Sequence, residues 1–153
     1  MTSVLSLRGQ IWINKPVQDV SLFIADYRND CLWRDGVESV QYTTPEPVGQ
    51  GSQFVERFTF WSLRMVMWWE VTDYEPGGKI VCRTFRSDTP LVSPLIVSTR
   101  MLRRKEGGTE LDYRLEIDAG SSLLCRIMLP IVRGSSQAMV DRHMRQLKSV
   151  LEV

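Results

Sequence analysis

The chain has 153 residues, of which 43% are hydrophobic and 24% are charged. These proportions are typical of one ordinary globular domain with a buried core, and we expect a single domain over residues 1–153. Nineteen basic and eighteen acidic residues give a net charge of +1 with no block of like charge, so we expect no nucleic-acid partner.

The first part of the chain predicts one strand and two short helices. Residues 4–13 read as a strand, and Asn14 is a plausible N-cap for a helix that ends near Asp26. Pro16 then lies near the first helical turn, where its fixed backbone angle is tolerated. The segment 27–37 predicts a loop or a short second helix.

Six more strands and a long helix complete the predicted order. Apolar and polar residues alternate as in antiparallel strands over the ranges 37–44, 52–60, 63–74, 79–85, 95–102 and 109–117. The separators are turn-rich, and the longest of them is 87–94. From Ser121 to the end the apolar period becomes helical, with a kink expected at Pro130.

Turn lengths predict which strand side chains share a face. A two-residue turn at Trp61-Ser62 would place Phe54, Phe58, Met65, Met67 and Trp69 together on the inner face. An even-length loop at 105–108 would add Ile96, Ser98, Arg100, Leu102, Leu111, Tyr113, Leu115 and Ile117. Methionine and aromatic side chains suit an adaptable apolar pocket, and a filled core is the alternative interpretation.

The C-terminal helix carries small residues in the middle of its apolar stripe. That stripe consists of Leu124, Met128, Ile131, Ser135, Met139 and Leu147. Small side chains around Ser135 either leave room for a ligand or allow close packing of the helix on the sheet.

Metal and nucleotide sites have no support in the sequence. His143 is the only histidine and the cysteines are not clustered, so a zinc site has too few ligands. Gly49-Gln-Gly51 lacks the third glycine of a dinucleotide fingerprint. We therefore expect no metal and no cofactor.

Four polar residues are the weak candidates for catalysis: Glu56, Arg100, Tyr113 and His143. An inward Glu56 and Arg100 would have to pair, meet water or await the polar head of a ligand. One extra loop residue would turn Arg100 outward instead. His143 lies at the border of the apolar stripe, either as a hydrogen-bonded edge residue or in a chemical role.

The outer face of the predicted sheet carries an apolar group at Val55, Val66 and Trp68. Tryptophan is a favoured anchor of interfaces, so this face predicts a homodimer with Arg57 and Glu70 at its rim. The alternative is a monomer in which Trp68 packs flat against the side-chain stems of Arg57 and Arg64.

The sequence carries no signal for export or membrane insertion. The start, MTSVLSLRGQ, lacks the pattern of a signal peptide, and no apolar run approaches the roughly 18 residues of a membrane span. Cys31, Cys82 and Cys125 are an odd, widely spaced set that fits reduced thiols. We therefore expect a cytoplasmic protein.

Several phrases of the sequence, in this order of elements, resemble a known superfamily. They are INKPVQDVSLFIADYRNDCLWRDGV, PVGQGSQFVERF, MWWEVTDYEPGGKIV, EGGTELDYRLEI and LLCRIMLP. The chain resembles the START-related helix-grip superfamily (SRPBCC), and most closely its polyketide cyclase/dehydrase and lipid-transport branch. The resemblance implies an α+β fold in which a curved antiparallel sheet of about seven strands wraps the C-terminal helix around a hydrophobic tunnel. The superfamily has no universal catalytic motif.

This resemblance predicts binding or carriage of a hydrophobic small molecule, such as a lipid or polyketide. The alternative is a polyketide cyclase or dehydrase acting in the same pocket. Trp33 and Tyr27 would form one mouth of the tunnel. The expected ligand-binding residues are Trp33, Phe54, Phe58, Met65, Met67, Trp69, Leu102, Tyr113, Leu115, Met128, Ser135 and Met139.

Overall fold

A computed structural model describes residues 4–88 and 94–153 of the chain. Within those residues the elements follow the predicted order. They are β1 (Val4–Ile13), α1 (Val17–Ala25), a 3₁₀-helix (Tyr27–Leu32), β2 (Val37–Tyr42), β3 (Gln53–Phe60), β4 (Leu63–Glu75), β5 (Lys79–Ser87), β6 (Leu95–Lys105), β7 (Gly108–Asp118) and α2 (Leu123–Leu151). The middle of the predicted separator 87–94 lies outside the described residues.

The seven described strands form one antiparallel sheet in the order β1-β7-β6-β5-β4-β3-β2. The predicted register between β3 and β4 is confirmed, because Phe58 pairs with Met65 across the turn. Trp61 and Ser62 have φ angles of 51° and 64°. Two positive φ angles in a two-residue turn match the right-handed twist of a hairpin. The predicted register across 105–108 is confirmed as well.

The helix α2 packs on one face of this sheet and crosses β1 closely. A Cβ atom on Gly9 would lie 2.7 Å from Cγ of Met144 and 2.9 Å from Cγ1 of Val140. The glycine therefore allows the helix to approach the strand. Val140, Met144 and Leu147 join the inward strand residues in the core. This arrangement confirms the predicted helix-grip architecture of a curved sheet and a long C-terminal helix.

The helix ends differ in detail from the prediction. Helix α1 begins after Pro16, and Asn14 does not cap it; the backbone N–H of Asn14 donates to Oε1 of Glu152 instead (2.8 Å). This hydrogen bond connects the segment between β1 and α1 to the C-terminal end of α2. Pro130 lies inside α2, which continues through it. In the described parts of the chain, no helix has the length and apolar character needed to cross a membrane.

Candidate functional site

An apolar cavity lies between the sheet and the first two thirds of α2. Its volume is about 130 Å³. It is lined by Leu5, Leu7, Arg34, Phe58, Phe60, Leu63, Met65, Met67, Trp69, Pro94, Ile96, Leu115, Ile117, Cys125, Met128, Leu129, Val132, Ser136 and Met139. The wall is almost entirely apolar, and four of its side chains are methionines.

The cavity opens near the β3–β4 turn. Phe60 and Leu63, which flank that turn, are partly exposed, and so are Met128 and Leu129 in the first half of α2. The lining residues deeper in the sheet, such as Met67, are buried. We call this side, between the hairpin tip and the helix, the mouth; Pro94, Ile117 and Met139, elsewhere in the lining, are also partly exposed.

Seven of the expected ligand-binding residues line this cavity: Phe58, Met65, Met67, Trp69, Leu115, Met128 and Met139. The other five do not. Phe54 and Tyr113 point to the same side of the sheet but lie beyond the cavity, and Leu102 lies beside α1. The inward direction of these three side chains was predicted correctly. The alternation of side chains along a strand does not indicate, however, how far along the strand the cavity extends.

The expectation that Ser135 faces the interior is wrong. Ser135 is exposed, and its hydroxyl donates back to the carbonyl oxygen of Val132 (3.0 Å). Ser136 is the buried serine that lines the cavity. Ile131 is also exposed, so the predicted stripe is rotated by one residue in the first half of α2.

Trp33 and Tyr27 are buried and do not form a mouth. Each is only 1% exposed, and both pack against the guanidinium group of Arg100, whose Cζ lies 4.3 Å from the Tyr27 ring and 5.0 Å from the Trp33 ring. A guanidinium group is attracted to the faces of aromatic rings. These two aromatics therefore enclose a buried charge.

That charge belongs to a network of two arginines and two carboxylates. Asp30, on the 3₁₀-helix, accepts from Nη1 and Nη2 of Arg100 (3.1 and 2.5 Å) and from Nη1 of Arg34 (2.9 Å). Arg34 Nη1 also donates to Oε2 of Glu56 (2.7 Å). Glu56 and Arg100 both face inward as the strand faces predicted, but they do not contact each other; Asp30 and Arg34 connect them.

Sequence reasoning missed Asp30 and Arg34. They lie in and just after the 3₁₀-helix, where no strand alternation indicates the direction of a side chain. Their spacing of four residues was a usable signal, because acidic and basic side chains at that spacing meet on one helical face. Two inward charges on the sheet also required partners of opposite sign.

Both arginines remain charged in the interior. Burial, the largest single influence, lowers the pKa of Arg100, but the carboxylate of Asp30 and the neighbouring tyrosines together outweigh it and the pKa is raised. Burial likewise opposes the charge of Arg34, and Glu56 is the largest influence that raises its pKa well above the ordinary value. Arg34 is the one member of the network that also lines the apolar cavity.

A small polar recess adjoins the cavity behind Arg34. It is lined by Tyr27, Arg34, Phe54, Glu56, Trp69, Cys82, Ser98, Arg100, Tyr113 and Leu115, and its volume is about 10 Å³. Burial raises the pKa of the Tyr113 hydroxyl and raises that of the Cys82 thiol to about 12, so both groups stay protonated at neutral pH. Neither is a base or a nucleophile there.

His143 is buried and neutral. Its Nε2 atom accepts a hydrogen bond from the backbone N–H of Asp35 (3.0 Å), which leaves the ring proton on Nδ1. Burial, and then the positive charge of Arg34, lower its pKa to about 4. His143 does not line the cavity, and its Nδ1 has no hydrogen-bond partner among the described residues.

On the outer face of the sheet, Val55, Val66 and Trp68 are only partly exposed. The guanidinium group of Arg86 lies over the Trp68 ring, with Cζ 4.3 Å from the ring centre. The stacking arginine comes from β5 rather than from Arg57 or Arg64. The homodimer through this face stays a prediction.

Comparison with known proteins identifies the fold. No protein-family profile and no curated protein matches the sequence. Solved structures do match: a START superfamily protein from Mycobacterium smegmatis has a TM-score of 0.78 at 11% identity, with 97% of each chain covered.

Two further structures align over 97% of this chain. A di-domain ARO/CYC protein from the steffimycin biosynthetic pathway has a TM-score of 0.70 at 17% identity, with 51% of that chain covered. A major latex-like protein from Panax ginseng has a TM-score of 0.67 at 10% identity, with 98% of that chain covered. Identities this low speak for the fold alone, and the chain has the START-related helix-grip fold.

Proposed function

We propose that the protein binds a hydrophobic small molecule, such as a lipid, a polyketide or a similar metabolite, in the cavity under α2. The observation that supports this most is the apolar wall of the cavity, which includes Met65, Met67, Met128 and Met139. Thioether side chains are flexible and adapt to ligands of irregular shape. Ligand pockets are mostly apolar, with a few polar groups that orient the ligand.

The volume of the cavity indicates how large a part of the ligand fits inside it. An engineered cavity of about 150 Å³ in another protein binds benzene. At about 130 Å³, this cavity holds at least one ring or a short stretch of acyl chain. A longer ligand would extend through the mouth beside Phe60 and Leu63.

Binding is favoured over the cyclase or dehydrase alternative. An enzyme of that kind needs acids or bases that touch the substrate. Among the cavity-lining residues that the structure describes there is no carboxylate, imidazole or phenol; Arg34, Ser136 and the thiol of Cys125 are the charged, hydroxyl and thiol groups of that lining. The candidates Glu56, Arg100, Tyr113 and His143 lie behind the wall or away from it. A guanidinium group that stays protonated positions a ligand but does not remove a proton from it.

Titration with N-phenyl-1-naphthylamine, a neutral apolar dye, tests the proposal. We expect saturable binding of one dye per chain and quenching of tryptophan fluorescence, because Trp69 lines the cavity. Met67→Trp should reduce the affinity by filling the space. Met101→Trp is the matched control, since Met101 is exposed on the face of the sheet that points away from the cavity.

Thermal unfolding of both variants would verify that they keep the fold. The absence of saturable dye binding by the wild-type protein would contradict the proposal. An equal loss of affinity in the two variants would place the dye outside the cavity and contradict it too.

A further inference from the structure

The polar recess carries hydrogen-bonding atoms that no protein group uses. These atoms are Nε of Arg34, Nε of Arg100, Nε1 of Trp69, the hydroxyls of Tyr27 and Ser98, and Oε1 of Glu56; each is buried and lacks a hydrogen-bond partner within residues 4–88 and 94–153. Native proteins leave very few buried polar groups unpaired. Arg34, Trp69 and Leu115 line both the recess and the apolar cavity, so the recess lies directly beside the space that a ligand would occupy.

The balance of donors and acceptors selects the chemistry of such a ligand. The two arginine Nε atoms and the Trp69 indole only donate, Oε1 of Glu56 only accepts, and the hydroxyls of Tyr27 and Ser98 do either. A ligand hydroxyl does both, so it complements the two kinds of atom at once. A ketone brings no donor for Glu56, and an ammonium group brings no acceptor for the arginine and indole donors.

Charge and size select the same group. Arg34 and Arg100 are balanced by Asp30 and Glu56 through the contacts described above, so a ligand carboxylate would add an uncompensated buried negative charge. Such a charge is strongly unfavourable in a protein interior. The recess volume of about 10 Å³ also matches a single oxygen atom rather than a group with two or more oxygens.

We infer that the ligand is a hydrophobic alcohol or phenol whose one hydroxyl group enters the polar recess while its apolar body occupies the cavity. This inference rests on the proposed function, since it names the ligand class of the same site. Arg34 and Glu56 are then the residues that determine specificity, one as donor and one as acceptor.

Displacement of the bound dye by three matched compounds tests the inference at pH 7. The compounds are naphthalene, 2-naphthol and 2-naphthoate, which differ only in carrying no polar group, a hydroxyl or a carboxylate. We expect 2-naphthol to bind about tenfold more tightly than naphthalene, the equivalent of one net hydrogen bond, and 2-naphthoate to bind more weakly than naphthalene.

Ser98→Val supplies the second arm of the test. The added carbons fill the recess, so the preference for 2-naphthol should disappear while naphthalene still binds. Thr99→Val is the matched control, because the next residue of β6 points to the opposite face of the sheet and its change should preserve the preference.

The outcomes separate this inference from the proposed function. If dye and naphthalene bind but 2-naphthol has no advantage, a water molecule fills the recess and the inference is overturned while the proposed function stands. Tighter binding of 2-naphthoate would also overturn it. Failure of the dye and all three compounds to bind would overturn both.

Discussion

Replacing Asp30 by asparagine tests the buried ion network, because the change removes the charge and keeps the volume. Asp30 is completely buried and accepts three hydrogen bonds from Arg34 and Arg100. After the change, Glu56 would be the only carboxylate left in the network, and it contacts Arg34 but not Arg100. Breaking a buried ion pair on one side costs about 3 to 5 kcal/mol.

The hydrogen bonds of the network lead to the same range. Hydrogen bonds to charged groups contribute about 1.5 to 3 kcal/mol each, but the three are not independent. Arg34 would keep its bond to Glu56, and Arg100 would keep its bond from Nη1 to the carbonyl oxygen of Ile24 (2.8 Å). We therefore expect Asp30→Asn to lower the free energy of unfolding by about 3 to 5 kcal/mol.

Urea unfolding at pH 7, followed by tryptophan fluorescence and extrapolated to water, measures this loss. Asp35→Asn is the control, because Asp35 pairs with Arg142 at the surface with 46% of its side chain exposed. An exposed pair contributes about 1 kcal/mol or less. If Asp30→Asn costs no more than Asp35→Asn, the network does not hold the two arginines as described.

Two further predictions concern His143 and Trp68. The folded-state pKa of His143, about 4, lies below its ordinary value of 6.5, so the unfolded chain binds the proton first and stability falls as the pH drops through that window. His143→Gln removes this titration but keeps an acceptor for the Asp35 N–H. Measured by urea unfolding, the free energy of unfolding of the variant should fall by roughly 2 to 3 kcal/mol less than that of the wild type between pH 7.5 and 4.5. An unchanged pH profile would refute this. For the predicted homodimer, light scattering should give twice the chain mass of 17.7 kDa, reduced to 17.7 kDa by Trp68→Glu. A mass of 17.7 kDa at every concentration would exclude that dimer.

The strand faces were predictable because short turns set the register. Once Trp61 and Ser62 are assigned to a two-residue turn, the pairing of Phe58 with Met65 follows, and every second residue of β3 and β4 takes its face from it. The inward directions of Glu56 and Arg100 came from the same argument.

The face of α2 was not predictable in the same way. The first half of this helix is apolar on nearly all sides, with Leu123, Ile127 and Ile131 exposed opposite the cavity wall. An apolar stripe indicates the buried face only when the other face is polar. This is why the sequence pointed to Ser135 where the structure places Ser136.

The extent of the cavity also required the structure. Phe54, Tyr113 and Met67 all face inward, but only Met67 lines the cavity. Tyr27 of the 3₁₀-helix stacks on Phe54, and Trp33, which follows that helix, packs edge-on against Tyr113. Nothing in the sequence of the strands indicates where another element covers them.

The most direct test of binding in the cavity is an NMR titration of the protein carrying ¹³C-labelled methionine methyl groups. Of the six methionines within the described residues, four, at positions 65, 67, 128 and 139, line the cavity. Met144 is buried beside Gly9, and Met101 is exposed on the opposite face of the sheet. On addition of 2-naphthol we predict saturable shifts of the four cavity methyl signals and none at Met101. Shifts at Met101 without shifts at the cavity methionines, or no shifts at all, would contradict the account.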